Sequence, residues 1–365
     1  MPRTPKTSRA SSLGESALIQ RIRLRAAGTT PPELRLGIGD DCALLRPGPG
    51  EELAVTTDLS IAGRHFRLDW HPPESVGHRT LARGLSDLAA MGARPVAAFL
   101  SLALPRELVQ KPKARSAPQS ASAAREAPNS QSPWIDRFLD GFLSLARDFE
   151  TPLAGGDLAE SPVAVADVVL TGAVRQGQAL LRSGARPGDV LYVTGALGAA
   201  AAGLDRLSKL VAAVKKLRPH QRRSLHRIPD EFKALLDPHL FPTPRIAQGL
   251  WLARNAMASA AIDLSDGLSI DLAHLCAESG VAAEVDAAAL PIASGATPIQ
   301  ALNGGEDYEL LFAAPPSARV PGQIEGLPVT RIGRILAPRT SAPPVTLITP
   351  RGAVALTPRG WQHFS

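Results

Sequence analysis

Acidic residues recur in this chain beside glycine, serine or threonine at the ends of apolar runs, in the stretches GIGDD, VTTD, LSD, AGGD, IDLSD and NGGED. Together they supply Asp40, Asp41, Asp58, Asp87, Asp157, Asp263, Asp266, Glu306 and Asp307. A single carboxylate in such a place caps a helix or closes a turn. Six stretches with one grammar point instead to a shared site. Neighbouring carboxylates such as Asp40 and Asp41 repel each other, and burying either one unpaired is costly or drives it to take up a proton. A side chain, a metal ion or water must compensate them. Carboxylate and hydroxyl oxygens are hard ligands suited to Mg²⁺, which shares its shell with water and phosphate oxygens. Such an acidic site could hold a nucleotide's phosphates with the metal between the two sets of negative charge.

The familiar templates for nucleotide chemistry are absent. The chain has no GxxxxGK[ST] and no GK dipeptide, which excludes a P-loop. GIGDDC begins like GxGxxG but ends in Cys42, and HRTLARGLSD holds no HRD catalytic loop. The eight histidines form no HExxH pair, and Cys42 and Cys276 are the only cysteines, so neither zinc nor a disulfide framework is suggested.

Strand ends are where an α/β or α+β scaffold collects functional side chains, because the backbone there is rigid and the edge is open. The apolar patterning supplies such strands. Residues 52–58, 95–104, 151–157 and 163–174 read as strands, and 75–93 and 134–150 as helices. In the second half, AAIDLSDGLSIDLAHLCAESG reads as a strand ending near Asp263 and a helix closed by Gly280, with Ser265 or Asp266 as N-cap. VAAEVD and ELLFAA follow as strands. The fold class is α+β in two lobes. The expected division is a tail over residues 1–12, a first domain over 13–176 and a second over 177–365. A Ser, Ala and Pro-rich insertion at 111–133 reads as a mobile loop, and a basic insertion lies at about 203–233.

With 365 residues, 44% hydrophobic and 20% charged, the chain is that of a globular protein long enough for about two domains. No apolar run reaches the ~18 residues of a membrane span, and MPRTPKTSRASS lacks the apolar core of a secretory signal, so the expectation is a cytoplasmic protein. The net charge of +6 is matched by the local excess in 203–233, which holds Arg206, Lys209, Lys215, Lys216, Arg218, Arg222, Arg223, Arg227 and Lys233. Phe232 is its only aromatic. A solvated helical face fits that composition better than a nucleic-acid surface, which interleaves stacking side chains.

LGIGDDCALL, TTDLSIAGRHF, LARGLSDLAAMGARP, LAGGD, LLRSGARPGDVLYVTG, AIDLSDGLSIDLAHL, LNGGEDYELLF and RGWQHF, in that order, resemble the thiamine-monophosphate kinases over roughly residues 14–365. IDLSDGL and GGEDYEL together are specific; GDD or LSD alone is not. The resemblance implies the two-domain fold of aminoimidazole ribonucleotide synthetase, with an N-terminal sheet domain that pairs in a homodimer. It implies ATP and thiamine monophosphate as substrates and Mg²⁺ as cofactor. It further implies Asp41, Thr56, Thr57, Asp58, Asp87, Asp157, Asp263 and Asp266 as metal ligands, Arg182 and Ser265 on ATP, and His65, Glu306 and Trp361 on the thiamine moiety. Asp40 would stand behind the ligands. The chain departs from the family pattern in LAESP after Asp157 and in Phe241, where an arginine commonly precedes the proline. Selenophosphate synthetase or aminoimidazole ribonucleotide synthetase would be sister enzymes of the same superfamily. A basic nucleic-acid-associated protein on a degenerate fold is the alternative of another class.

Overall fold

The computed structural model describes residues 15–28, 30–38, 42–110, 132–216, 230–338 and 344–360. Asp40, Asp41, Trp361 and nearly all of the 111–133 insertion lie outside the described residues, as does the middle of the basic segment.

The first half begins with helix α1 (Glu15–Ala26) and a small antiparallel pair, β1 (Leu34–Leu36) with β2 (Leu44–Leu45). β3 (Glu51–Ile61), α2 (Pro73–Ala90), β4 (Arg94–Leu104), the short α3 (Arg106–Val109), α4 (Trp134–Asp148), β5 (Leu153–Glu160) and β6 (Val165–Arg175) follow. The sheet runs β3-β6-β4-β5, antiparallel except for the β4/β5 pair. Helices α2 and α4 cover one face through Leu81, Leu85, Leu88, Phe138 and Phe142, all fully or almost fully buried against Leu100, Val168 and Leu170. The two helices approach closely because Gly77 on α2 faces the backbone of α4, and Gly141 on α4 that of α2. A Cβ on Gly77 would sit 1.9 Å from the Phe138 carbonyl oxygen, and one on Gly141 1.8 Å from that of Glu74. On the other face of the sheet, β3 leaves Leu53, Val55 and Leu59 exposed.

The second half contains β7 (Val190–Thr194), α5 (Ala199–Lys216), α6 (Asp230–Leu240), α7 (Ile246–Arg254), β8 (Ala260–Asp263), α8 (Leu268–Ser279) and β9 (Ala282–Asp286). It closes with α9 (Pro298–Asn303), β10 (Leu310–Ala314), β11 (Gln323–Ile324), β12 (Leu327–Leu336), β13 (Val345–Thr349) and β14 (Gly352–Ala355). Its sheet runs β14-β13-β9-β12-β7-β10-β8 with β11 on β12. Leu191, Val193, Ile262, Leu272, Leu275, Ile332 and Ile335 form its core. The described parts of the basic segment belong to α5 and α6, which pack on each other through Leu207, Val211, Leu236 and Leu240 while Lys209 stays exposed. Among the described residues no helix is long and apolar enough to cross a membrane.

The strands and helices expected from the apolar pattern are present, their ends displaced by a few residues; α1 was not expected. One local expectation is corrected. Helix α8 starts after Gly267, which has φ 115°, and neither Ser265 nor Asp266 caps it. No side chain caps it; Asp271 in the first turn instead ties down the chain that enters the helix, accepting from the backbone N–H of Asp266 at 3.1 Å and of Gly267 at 3.0 Å. Gly280 closes the helix in the left-handed conformation, as expected.

Candidate functional site

Strand β3 alternates, and the alternation sorts its residues. Thr56 and Asp58 face α2, whereas Thr57 points outward with Leu53, Val55 and Leu59. Thr56 Oγ1 donates to Asp87 Oδ2 on α2. One and two turns N-terminal to Asp87 on the same helix face, Arg83 and Arg79 reach the same region. Arg83 Nε lies 3.5 Å from Asp58 Oδ1.

The second sheet meets this face at the end of β8. Ser86 Oγ on α2 donates to Asp263 Oδ2 at 2.7 Å. Beyond it, the loop with Ser265 and Asp266 and the loop before β10 run together: Glu306 N donates to the Ser265 carbonyl at 2.8 Å. Glu306 then pairs with Arg79. These groups enclose a cavity of about 500 Å³. Asp58, Arg83 and Asp87 line it from the first half, and Asp263, Ser265, Asp266 and Glu306 from the second. His65, Phe66, Trp70, His71 and His239 form another part of the wall. His65 is oriented by its Nδ1, which accepts from the Ile61 N–H at 3.0 Å.

The carboxylates here hold protons unusually well. Burial pushes Asp58 up to about 6; Arg83 opposes the rise, and the charges of Asp87, Asp167 and Asp266 add to it. Burial also raises Asp87, against the hydrogen bond from Thr56 and the charges of Arg182 and Arg83. Asp263 is raised well above the carboxylate range by burial and by Asp87. Acids that destabilise one another in this way gain from a cation between them, so the donor set fits a hard divalent ion. Among the described residues no three His, Cys, Asp or Glu are already closed around one point as a ligand set. The cluster is an electrostatic fit.

The expected site residues divide accordingly. Thr56, Asp58, Asp87, Asp263, Ser265, Asp266, His65 and Glu306 are brought together. Arg182, in an exposed bend, is near enough for its charge to lower Asp87 and Asp263. Thr57 stays on the outward face. Asp157 is on the edge strand β5, beside a separate cavity of about 730 Å³ that also involves Cys42, Ile19 and Gly156. Within this chain neither of the two joins the cluster. Asp307, from the same acidic grammar, turns away and accepts the N–H groups of Gly198 at 2.6 Å and Ala200 at 3.0 Å where α5 begins. Phe241 packs beside α5 and α6 and meets His78 edge-on at 5.3 Å between ring centroids.

Sequence reasoning passed over Arg79, Arg83, His71, His239 and Asp271. The arginines could have been found from their spacing, since 79, 83 and 87 repeat every four residues along a helix that already carried a site carboxylate. The histidines are 168 positions apart and left no such signal.

Comparison with known proteins places the fold and the site in context. The family described as AIR synthase related protein, N-terminal domain, matches residues 39–174, and its C-terminal domain matches residues 186–343. A thiamine-monophosphate kinase of Salmonella typhimurium is 38% identical over 339 residues, covering 89% of this chain and 91% of its own. The crystal structure of a thiamine-monophosphate kinase from Stenotrophomonas maltophilia K279a is similar with a TM-score of 0.71 and 38% identity, over 92% of this chain and 96% of that one. AaThiL complexed with AMPPCP and TMP is similar with a TM-score of 0.66 and 30% identity, over 98% of this chain and 99% of that one.

Proposed function

This chain belongs to the AIR synthase related proteins and, among them, to the thiamine-monophosphate kinases, and on that premise we propose that it transfers the γ-phosphoryl group of ATP to the phosphate of thiamine monophosphate. The products are thiamine diphosphate and ADP. The observation that carries this reading is the cavity where Asp58 and Asp87 from one half meet Asp263 and Asp266 from the other. The relatives favour it over the sister enzymes of the superfamily.

In this reading Asp58, Asp87, Asp263 and Asp266, with Thr56 and Asp41, hold Mg²⁺. When bound, the metal neutralises phosphate charge so that two anions can approach in line. Arg182 and Ser265 contact the ATP phosphates. The acceptor phosphate is already an anionic nucleophile, so no residue is assigned as a general base. His65 and Glu306, together with Trp361, hold the thiamine moiety. The roles expected of Thr57 and Asp157 would require groups that this chain alone does not bring to the cluster. A homodimer fits the exposed row Leu53, Val55 and Leu59 on the face of the sheet away from α2 and α4. The two domains are taken to divide near residues 176 and 177, and the cytoplasm is the compartment assigned.

The test is a coupled ADP-release assay with ATP, Mg²⁺ and thiamine monophosphate, with free thiamine in parallel. Turnover with the monophosphate and none with thiamine is expected. Phosphorylation of thiamine but not of its monophosphate would overturn the reading.

A further inference from the structure

Behind Glu306 lies a chain of buried donors and acceptors that neither metal binding nor phosphate binding uses. The backbone N–H of Arg67 donates to Nδ1 of His71 at 3.1 Å. A backbone hydrogen has a fixed position, so that ring nitrogen must be the bare one. The Arg67 carbonyl lies 3.3 Å from the same nitrogen, farther than the N–H, and already accepts from the N–H groups of Trp70 and His71. His71 therefore carries its proton on Nε2. That nitrogen lies 3.1 Å from Nε2 of His239. The rings are 4% and 2% exposed. Burial, reinforced by the charge of Arg79, holds both neutral, with His71 lowered to about 3 and His239 well below its usual value. Between two neutral rings one nitrogen donates and the other accepts, so His239 receives the hydrogen bond and keeps its own proton on Nδ1. His239 Nδ1 is buried and makes no hydrogen bond; its nearest acceptor is Glu306 Oε2 at 3.5 Å, a gap that a small shift of the carboxylate would close, while Arg79 Nη2 donates to Oε1.

We propose that Arg79 and His239, the latter fixed in its Nδ1–H tautomer by His71, are positioning residues that hold the two carboxylate oxygens of Glu306 toward the cationic end of the substrate. The proposal rests on the reading of Glu306 as a thiamine contact and gives that contact its supporting structure. Glu306 needs such support. It has φ 68°, in the left-handed region that a residue with a side chain occupies only when its surroundings enforce it, and Tyr308 two residues on has φ 50°. The neutrality of the imidazoles matters as well. Arg79 balances the charge of Glu306 once, and a protonated histidine would leave the locality positive, opposing the thiazolium ring of the substrate. Because His239 is on α6, the network also makes the α5–α6 helix pair part of the substrate site.

The experiment measures binding of thiamine monophosphate by calorimetry, without turnover, to the wild type and to Glu306→Gln, His239→Leu and His239→Asn. Asparagine places an amide N–H near the position of Nδ1; leucine removes the donor. The expected result is that His239→Leu weakens thiamine monophosphate about 3- to 10-fold, the loss of a polar contact to a charged group, and leaves ATP affinity within about twofold. His239→Asn should recover to within about threefold of wild type. Equal weakening by leucine and asparagine, or wild-type binding by folded His239→Leu beside a weakened Glu306→Gln, would overturn the proposal. Wild-type binding by Glu306→Gln would instead overturn the reading of Glu306 itself. A measurement that needs no variant is the imidazole ¹⁵N shifts of the wild-type protein near neutral pH. They should show bare Nδ1 in His71 and bare Nε2 in His239; the opposite tautomers would overturn the proposal even if His239→Leu fails to fold.

Discussion

Ser86 Oγ donates to Asp263 Oδ2 at 2.7 Å, a hydrogen bond that runs from helix α2 to the end of strand β8 and joins the two sheets at the acidic cluster. Asp263 is 3% exposed, and its neighbour Asp87 adds to the proton affinity that burial imposes. The serine is among the few groups favouring the ionised form. Ser86→Ala should therefore lower the apparent affinity for Mg²⁺ about 3- to 10-fold, with the KM for thiamine monophosphate nearly unchanged. Turnover titrated with Mg²⁺ at saturating substrates measures this. An unaltered Mg²⁺ dependence would remove Asp263 from the ligand set.

Asp58 tests the same cluster from the first sheet. An amide is a neutral and weaker ligand than a carboxylate, so Asp58→Asn should reduce kcat by about 100-fold or more. The metal-free protein should melt no lower than wild type, because the substitution removes a charge that burial already disfavours, pushing its pKa up to about 6. Turnover within about threefold of wild type at saturating Mg²⁺ would contradict the metal role.

The histidine pair makes a pH prediction with a definite sign. The folded-state pKa of His71 is about 3 and that of His239 is well below normal, so each takes up its proton more readily in the unfolded chain. Their contribution is present above about pH 6.5 and is lost as pH falls below it, at up to about 1.4 kcal/mol per pH unit for each ring. The groups facing the pair are Arg79 and Glu306, with the backbone of Arg67 behind His71. Asp58 and Asp271, raised to about 6 and about 7, act in the opposite direction. The comparison must therefore be between variant and wild type. His71→Phe should raise the urea midpoint at pH 5 relative to that at pH 7.5, compared with wild type; an unchanged difference would mean that His71 does not titrate as described.

The motifs made much of this site legible, for a physical reason. Asp263 closes a strand, Asp58 is on the inward face of one, Asp87 is on a helix face and Glu306 is in the loop before a strand, where motif and local patterning mark the residues. Thr57 shows the limit of motif reading: adjacent to Thr56 and Asp58 in sequence, it is sent to the other face by strand alternation. Helix α8 begins after Gly267 rather than at Ser265 or Asp266, and the carboxylate of Asp271 binds the N–H groups of Asp266 and Gly267 ahead of it, a local contact that cap preferences do not anticipate. His71 and His239 meet only through the packing of α6 against the start of α2, and no short-range pattern encodes that meeting.

The last prediction separates structure from chemistry within GGEDYEL. Glu306 faces the cavity and Asp307 holds the start of α5, but Glu309 is 3% exposed and bound on all sides. Arg245 donates to it through Nε at 2.8 Å and Nη2 at 2.6 Å, and Thr194 Oγ1 adds a third bond at 2.7 Å. Gly195 leaves room for the carboxylate, since a Cβ there would lie 2.0 Å from Glu309 Oε1. This is a buried two-pronged ion pair between the entrance of α7 and the start of β10. Removing one partner strands the other charge, so Arg245→Ala should destabilise the protein by about 3–5 kcal/mol. Lysine, a single-point donor, should recover only part of the loss. Replacing both partners with apolar residues, Arg245→Met with Glu309→Leu, should come closer to wild-type stability than Arg245→Ala does. Chemical denaturation measures all three, and the KM values of folded Arg245→Lys should stay near wild type for both substrates. A selective rise in the KM for ATP or thiamine monophosphate in that variant would move Glu309 from the scaffold to the site.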